Sequence, residues 1–197
     1  LSFTAEWFRK DTKDLLLRKP APQYNGGGSF WVNQGEVRNS GVEFTITATP
    51  LTDKDIFGWE TSLNASYLKN KIIDLAGSDF IVGENYTSIG GGPIQIKKVG
   101  YPIGSFYLYE WANFNDQGAN LYKHQSNGSL TTNPGADDLV TKGQAEPNWT
   151  FGWNNTFTWK NWTLNLFINA ALGQDRLNVS RYAMGSMTGV YRFISLS

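Results

Sequence analysis

The chain contains no cysteine. Disulfides, thiolate metal sites and cysteine nucleophiles are therefore excluded. Histidine is nearly absent too, with His124 the single example. Charge is scarce: Asp, Glu, Lys and Arg make up 17% of the residues, against about 25% in an ordinary soluble domain. The charges present cancel to a formal net of zero, which removes the electrostatic basis for binding nucleic acid or an acidic surface. No apolar run approaches the roughly 18–20 residues of a membrane-spanning helix. That says nothing against a β-barrel, whose strands never show such runs. The sequence opens on Leu1 without a signal peptide, so a piece of a longer protein is expected.

What the chain has instead is aromatic and small polar residues. Aromatics reach 15%, with eight tryptophans, beside 21 glycines and abundant Asn and Thr. The densest stretch is WTFGWNNTFTW, residues 149–159. Alternate side chains of a strand point to opposite faces. One face here carries Trp149, Phe151, Trp153, Asn155, Phe157 and Trp159; the other carries Thr150, Gly152, Asn154, Thr156 and Thr158. After Lys160-Asn161 the alternation restarts with Trp162, Leu164, Leu166, Ile168 and Ala170. The spacing predicts two paired strands joined by a tight turn. Two architectures produce such a pattern. In a soluble sandwich the apolar face packs on a second sheet. In an outer-membrane barrel it meets lipid, and the polar face lines a wet lumen. Tryptophans at the strand ends favour the barrel, because aromatic rings collect at the two headgroup levels.

Further strands are predicted over residues 2–9, with 12–17 carrying the first towards Lys19-Pro20-Ala21-Pro22, where two prolines end any ladder. Residues 25–29, NGGGS, read as a flexible loop. Residues 37–50 alternate strongly, with Val42, Phe44, Ile46 and Ala48 opposed to Glu43, Thr45, Thr47 and Thr49. Residues 50–57 are a short connection, and a third strand sets Trp59, Thr61, Leu63, Ala65 and Tyr67 against Glu60, Ser62, Asn64 and Ser66. Between 70 and 148 the pattern breaks at many glycines, and only residues 99–114 stand out as an aromatic element. Residues 173–197 are weakly periodic.

Short turns thus alternate with a very long excursion, as the short periplasmic turns and long extracellular loops of outer-membrane barrels do. A parity condition follows. If 50–57 and 160–161 lie on one side of a membrane, everything between residues 70 and 148 crosses it an even number of times. It is then a single extracellular excursion or contains one extra hairpin. The fold class expected is all-β: antiparallel up-and-down strands from a large outer-membrane β-barrel, incomplete in this chain.

Three stretches resemble one family. Residues 7–16, WFRKDTKDLL, are followed by NQGEVRNSGVE at 33–43; VGYPIGSFYLY lies at 99–109; GQAEPNWTFG lies at 143–152. Together they resemble the barrel motifs of SusC/RagA-type TonB-dependent outer-membrane transporters, in order and approximate spacing, over roughly residues 1–185. The resemblance implies that residues 1–197 are part of a TonB-dependent receptor barrel, with 71–148 a long extracellular excursion. It implies import of glycan or peptide nutrients, with no enzyme activity and no cofactor. Its partners would be the protein's own plug domain, a SusD-like surface lipoprotein, the TonB complex and the lipid of a Gram-negative outer membrane, and no nucleic acid. Glu43, Thr45, Asn64, Ser66 and Asn154 would line the lumen. Trp149, Phe151, Trp153, Phe157, Trp159 and Trp162 would face lipid. Where many members carry an Asp/Asn/Gly-rich, calcium-binding-like loop, this chain has only Asn115-Asp116-Gln117-Gly118 and residues 133–138.

Chemistry of other kinds is thinly signalled. His124 lies among polar loop residues and reads as solvent-exposed rather than as a general base. Asp137-Asp138 and Asp53/Asp55 fall short of the six or more oxygens calcium takes. Gly90-Gly91-Gly92 lacks the Lys-Ser/Thr of a phosphate loop. Asn-x-Ser/Thr sequences such as 127–129 and 161–163 arise by chance in Thr/Asn-rich strands. Tyr107, Tyr109, Trp111 and Asn113 fall at alternate positions and are the candidate ligand-binding residues, able on one face to stack on a sugar ring or a peptide; an aromatic girdle or packing on the plug explains the same pattern. Trp31 and Tyr86, placed in long loops, are weaker candidates. A secreted carbohydrate-binding sandwich and a passive porin are the alternatives. Packing of Trp153 and Phe157 on a second sheet of this chain would decide for the sandwich.

Overall fold

The computed structural model describes residues 1–21, 24, 26–53, 56–83 and 93–178. Pro22, Asn25, Asp55, Tyr86, the glycine triplet 90–92 and residues 179–197, all named above, lie outside them. The described residues form strands β1 (Ser2–Lys13), β2 (Leu16–Pro20), β3 (Ser29–Asn33), β4 (Glu36–Asp53), β5 (Phe57–Asp74), β6 (Phe80–Val82), β7 (Gln95–Lys98), β8 (Ser105–Tyr109), β9 (Trp111–Phe114), β10 (Asn120–Lys123), β11 (Leu130–Thr131), β12 (Leu139–Lys142), β13 (Trp149–Trp159) and β14 (Trp162–Leu172). One 3-10 turn, Ala136–Asp138, precedes β12.

The long strands make one antiparallel sheet in the order β1-β4-β5-β13-β14. We refer to it as the wall. The hairpin at Lys160-Asn161 closes as the spacing requires, with Trp159 opposite Trp162 and Lys160 at φ 50. β5 pairs directly with β13, from Gly58↔Thr158 to Tyr67↔Trp149. Among the described residues no strand between Leu75 and Asn148 enters the wall. The wall is open, with β1 and β14 at its edges.

Several boundaries differ from the sequence reading. β1 runs unbroken to Lys13. β4 continues through Pro50 to Asp53, so the connection to β5 spans only residues 54–56. Pro50 lacks an N–H. The ladder accommodates it with a bulge between Ala48 and Leu51, where Thr49 and Pro50 oppose Glu60 alone. β5 extends to Asp74 because β4 supplies partners as far as Glu36, although 68–74 do not alternate by themselves. The excursion therefore starts at residue 75. Residues 99–114 are not one element: β8 belongs to a four-stranded sheet (β12-β8-β7-β6) and β9 to a three-stranded one (β11-β10-β9). Trp31 lies on β3, in a two-stranded sheet with β2, rather than in a loop.

A small core joins these pieces. Leu17, Val37, Ile72 and Leu75 are buried together, with Leu15, Val32 and Ile81 packed on them. Each fully buried aliphatic side chain contributes about 1.5–3 kcal/mol. Val37 and Ile72 are direct partners at the end of β4–β5 far from the 160–161 turn. The β2–β3 hairpin and the first part of the excursion are thus fastened to that rim. Gly41 lies on the wall's polar face. A Cβ there would collide with the Phe8 ring and the Tyr67 carbonyl.

Candidate functional site: an uncovered apolar face and a folded excursion

Directly paired residues of neighbouring strands share a face, so the register assembles the wall's surface row by row. One row is Trp7, Val42, Tyr67, Trp149 and Leu172. The next rows bring in Ala5, Phe44, Ala65, Phe151 and Ala170, then Phe3, Ile46, Leu63, Trp153 and Ile168. Near the turn come Leu51, Trp59, Phe157 and Leu164, then Trp159 with Trp162. This face is uncovered: Trp7 is 71% exposed, Trp162 76% and Trp153 41%. Trp153 makes no contact with a second sheet among the described interactions. Its indole N–H donates to Thr61 Oγ1 at 2.9 Å. Phe157 stacks on Phe57 and Trp59 of the same wall, at ring distances of 6.1 and 6.0 Å.

Asn155 is the polar exception in this apolar face. It is 2% exposed. The Trp59 indole N–H donates to its Oδ1 at 3.1 Å, and its Nδ2 has no hydrogen-bond partner among the described residues. Thr61 is its direct neighbour on β5. Two indoles thus cover the two polar side chains of the row. The break in the aromatic alternation was legible in the sequence; its cover was not.

The opposite face is small and polar. Thr47 and Ser62 hydroxyls lie 3.3 Å apart, Thr156 donates to Asn165 at 2.9 Å, and Ser66 donates to Glu43 at 3.5 Å. Phe167, opposite Asn154, is the exposed aromatic there.

In the excursion the four candidate ligand residues part company. Tyr107 lines a depression of about 330 Å³ with Phe80, Lys98, Tyr101, Gln125 and Thr141 among others. Lys98 Nζ lies 5.1 Å from the Tyr101 ring centre. Tyr109 instead packs edge-on against buried Tyr122 at 5.9 Å. Trp111 packs on Phe114 at 5.4 Å and donates its indole N–H to Asn120 at 3.0 Å. Asn113 is exposed on β9, opposite Leu121. Only Tyr107 opens into the depression. Trp31 is 63% exposed on β3.

Glu110, between β8 and β9, holds the two small sheets together. It meets Lys123 of β10 at 3.0 Å and Lys142 of β12 at 3.5 Å. The Lys123 hydrogen bond, aided by Lys142, holds its carboxyl below the usual range. Asp138 closes the loop that contains His124. It is 5% exposed and accepts from Gly135 N–H (2.8 Å), Gln125 N–H (3.1 Å) and, at 2.9 Å, pairs with His124 Nδ1. The Gly135 amide first, then His124, lowers its pKa. This occupies the carboxylate in the loop's own structure. Asp137 is exposed, and the side chains of Asp53 and Asp55 lie outside the described set. Among the described residues no group of three His, Asp or Glu side chains is placed to hold a metal ion.

The motif stretches meet at the rim. Asn70 donates to Asn39 at 2.7 Å and accepts from the Ile103 N–H at 2.8 Å. Ala145 N–H donates to Gly104 O, and Asn148 pairs with Leu68 through both backbone and side chain. Gln144 and Asp175 exchange two bonds, at 2.7 and 3.0 Å. Gly143, at φ 70, leaves room for the Asp175 carboxylate that a Cβ would displace. The motifs fasten the excursion's return to the ends of β4, β5 and β14.

Residues 1–178 match the family described as "TonB dependent receptor-like, beta-barrel". TonB-dependent receptor P3 of Formosa agariphila is 33% identical over an alignment covering 94% of this chain and 20% of that protein. TonB-dependent receptor SusC of Bacteroides thetaiotaomicron is 37% identical over 53% of this chain and 11% of that protein. Among solved structures, the RagAB peptide importer in its "open-open" state superposes with a TM-score of 0.77 at 26% identity, covering 91% of this chain and 20% of that one. The chain spans about a fifth or less of the length of these relatives.

Proposed function

The chain belongs to the TonB-dependent receptor β-barrel family, and on that premise we propose that it forms part of the wall of an outer-membrane transporter for peptide or glycan nutrients. The observation that carries the reading is the uncovered apolar face bounded by two aromatic levels. Trp149 and Trp159 are the ends of one strand. Ten steps of about 3.3 Å, tilted by about 40°, rise by about 25 Å, the height of the apolar band of such barrels. Trp149, Phe151, Trp153, Phe157, Trp159 and Trp162 then face lipid. Glu43, Thr45, Asn64, Ser66 and Asn154 face the lumen and the protein's own plug.

Direct β5–β13 pairing supports a single excursion on one side of the membrane. The short connections at 54–56 and 160–161 face the periplasm, and residues 75–148 face the cell exterior of a Gram-negative bacterium. The depression beside Tyr107 lies on that exterior part, where cargo delivered by a SusD-like surface lipoprotein would pass. Tyr109, Trp111 and Asn113 do not line it, so Tyr107 is the one candidate ligand residue placed to meet cargo there. The TonB complex acts on the plug, so this segment contributes the channel and no catalytic step. The peptide-importer description of a solved relative and the SusC name of another support nutrient uptake. A secreted sandwich is disfavoured, because among the described residues neither Trp153 nor Phe157 packs on a second sheet, and kinship with TonB-dependent receptors disfavours a passive porin.

Single cysteines test the wall. In a cysteine-free full-length transporter, a bilayer-confined maleimide is expected to modify Trp153→Cys, Leu164→Cys and Ile168→Cys and to spare Asn154→Cys and Asn165→Cys. Equal modification of both sets would overturn the lipid-facing assignment.

A further inference from the structure

The rows just beyond the upper aromatic level change character abruptly. Next to Trp7–Val42–Tyr67–Trp149 comes Arg9–Ser40–Lys69, and then Asp11–Arg38–Lys71, on the same face of the wall. Four cations stand there against one carboxylate. Asp11 is committed to the two guanidinium groups, at 2.9 Å from Arg9 and 2.6 Å from Arg38. The third row, Lys13–Glu36–Asp74, adds one cation and two acids. Glu36 reaches Arg38 at 3.6 Å, and Asp74 caps the Ala76 N–H at 2.9 Å. Lys69 and Lys71 are exposed and have no acidic partner among the described residues. Arg38 and Lys71 are direct cross-strand partners, an arrangement of like charges that costs stability in a sheet unless an anion lies between them.

Depth fixes what that anion is. Each row lies two residues beyond the last, about 6.7 Å along the strand and about 5 Å along the membrane normal at a tilt near 40°. The two cationic rows therefore sit about 5 and 10 Å outside the aromatic level, where headgroup phosphates lie. We propose that Arg9, Arg38, Lys69 and Lys71 form a site for the phosphates of an outer-leaflet lipid, whose acyl chains lie on the apolar face below beside Trp7 and Phe44. Lys69 and Lys71 supply the unneutralised charge. Asp11 holds Arg9 and Arg38 in place.

This rests on the outer-membrane reading above. The test uses the full-length transporter in neutral detergent, titrated with bisphosphorylated lipid A, with dephosphorylated lipid A and with inorganic phosphate, binding being read by native mass spectrometry. The wild type is expected to prefer the phosphorylated lipid, with affinity falling as salt is raised. Lys69→Gln/Lys71→Gln is expected to weaken that binding roughly tenfold to thirtyfold, and Lys69→Arg/Lys71→Arg to retain it. In lipid-free detergent the arginine variant should keep the wild-type thermal unfolding, and the glutamine variant should unfold no lower, having lost the like-charge pair. Equal binding of the two lipids by the wild type overturns the site without recourse to any variant. So does full competition by inorganic phosphate, or loss of lipoprotein capture in the glutamine variant with lipid binding unchanged. If both lipids bind alike while the cysteine pattern above holds, the headgroup site falls and the wall reading stands.

Discussion

Asn155 places an amide in the middle of an apolar face, and its Oδ1 accepts the Trp59 indole N–H. In hydrocarbon an orphaned donor finds no water. Asn155→Leu leaves the Trp59 N–H without an acceptor, and Trp59→Phe leaves the amide oxygen without a donor. Each is expected to cost about 1–3 kcal/mol. The double variant removes both groups and should cost less than the sum, with a coupling of about 1–2 kcal/mol. Reversible unfolding of the full-length barrel into lipid vesicles measures all three; additive costs would mean that the pair does not act as a unit. The gap in the aromatic row at 155 is visible in the sequence, but Trp59 lies 96 positions away, and only the β5–β13 register brings it there. The cations of the rim are hidden for the same reason. Nothing in one dimension sets Arg9, Arg38 and Lys71 side by side.

At the scale of elements, alternation predicts strands well where each strand has one apolar face, as in β13 and β14. It fails where a partner imposes the ladder. Residues 68–74 are strand because β4 is there, and Pro50 is tolerated because a bulge takes it out of register. The division of 99–114 was illegible because its hinge, Glu110, is one ordinary residue whose two lysine partners come from strands on either side. The loop closed by Asp138 offers a pH test. Its carboxyl titrates below the ordinary value when folded. Its contribution is therefore complete above the unfolded pKa of about 3.9 and is lost as pH falls through the depressed folded value. Protection of the Gln125 and Gly135 amides from hydrogen exchange should be constant from pH 7 to about 5 and decline below about 4, once the intrinsic exchange rate is corrected for. Asp138→Ala should lower that protection at pH 7 and flatten the decline. An unaltered pH profile in this variant would assign the titration elsewhere.

For the whole molecule, the membrane reading predicts a gradient. An arginine on the lipid face of a barrel costs about 2–4 kcal/mol at mid-depth and about 0–1 near the interfaces. Ile168→Arg and Leu166→Arg should therefore destabilise the full-length barrel far more than Trp162→Arg, although Trp162 is the most exposed of the three. A solvated face would give no dependence on depth, and equal costs along β14 would contradict the assignment. The rim adds one further consequence. Pairing of β5 with β13 ends at Tyr67↔Trp149, Leu68 and Asn148 are hydrogen-bonded just beyond it, and β5 stays in the wall on β4 as far as Asp74. The excursion from residue 75 onward is thus a detour whose return is tied beside a ladder that is already formed. Such a cassette can be exchanged for another of unrelated length, or cut down to a turn, without altering strand number, shear or tilt. A lineage of such barrels could thus renew this part of its surface repeatedly while inheriting the same wall.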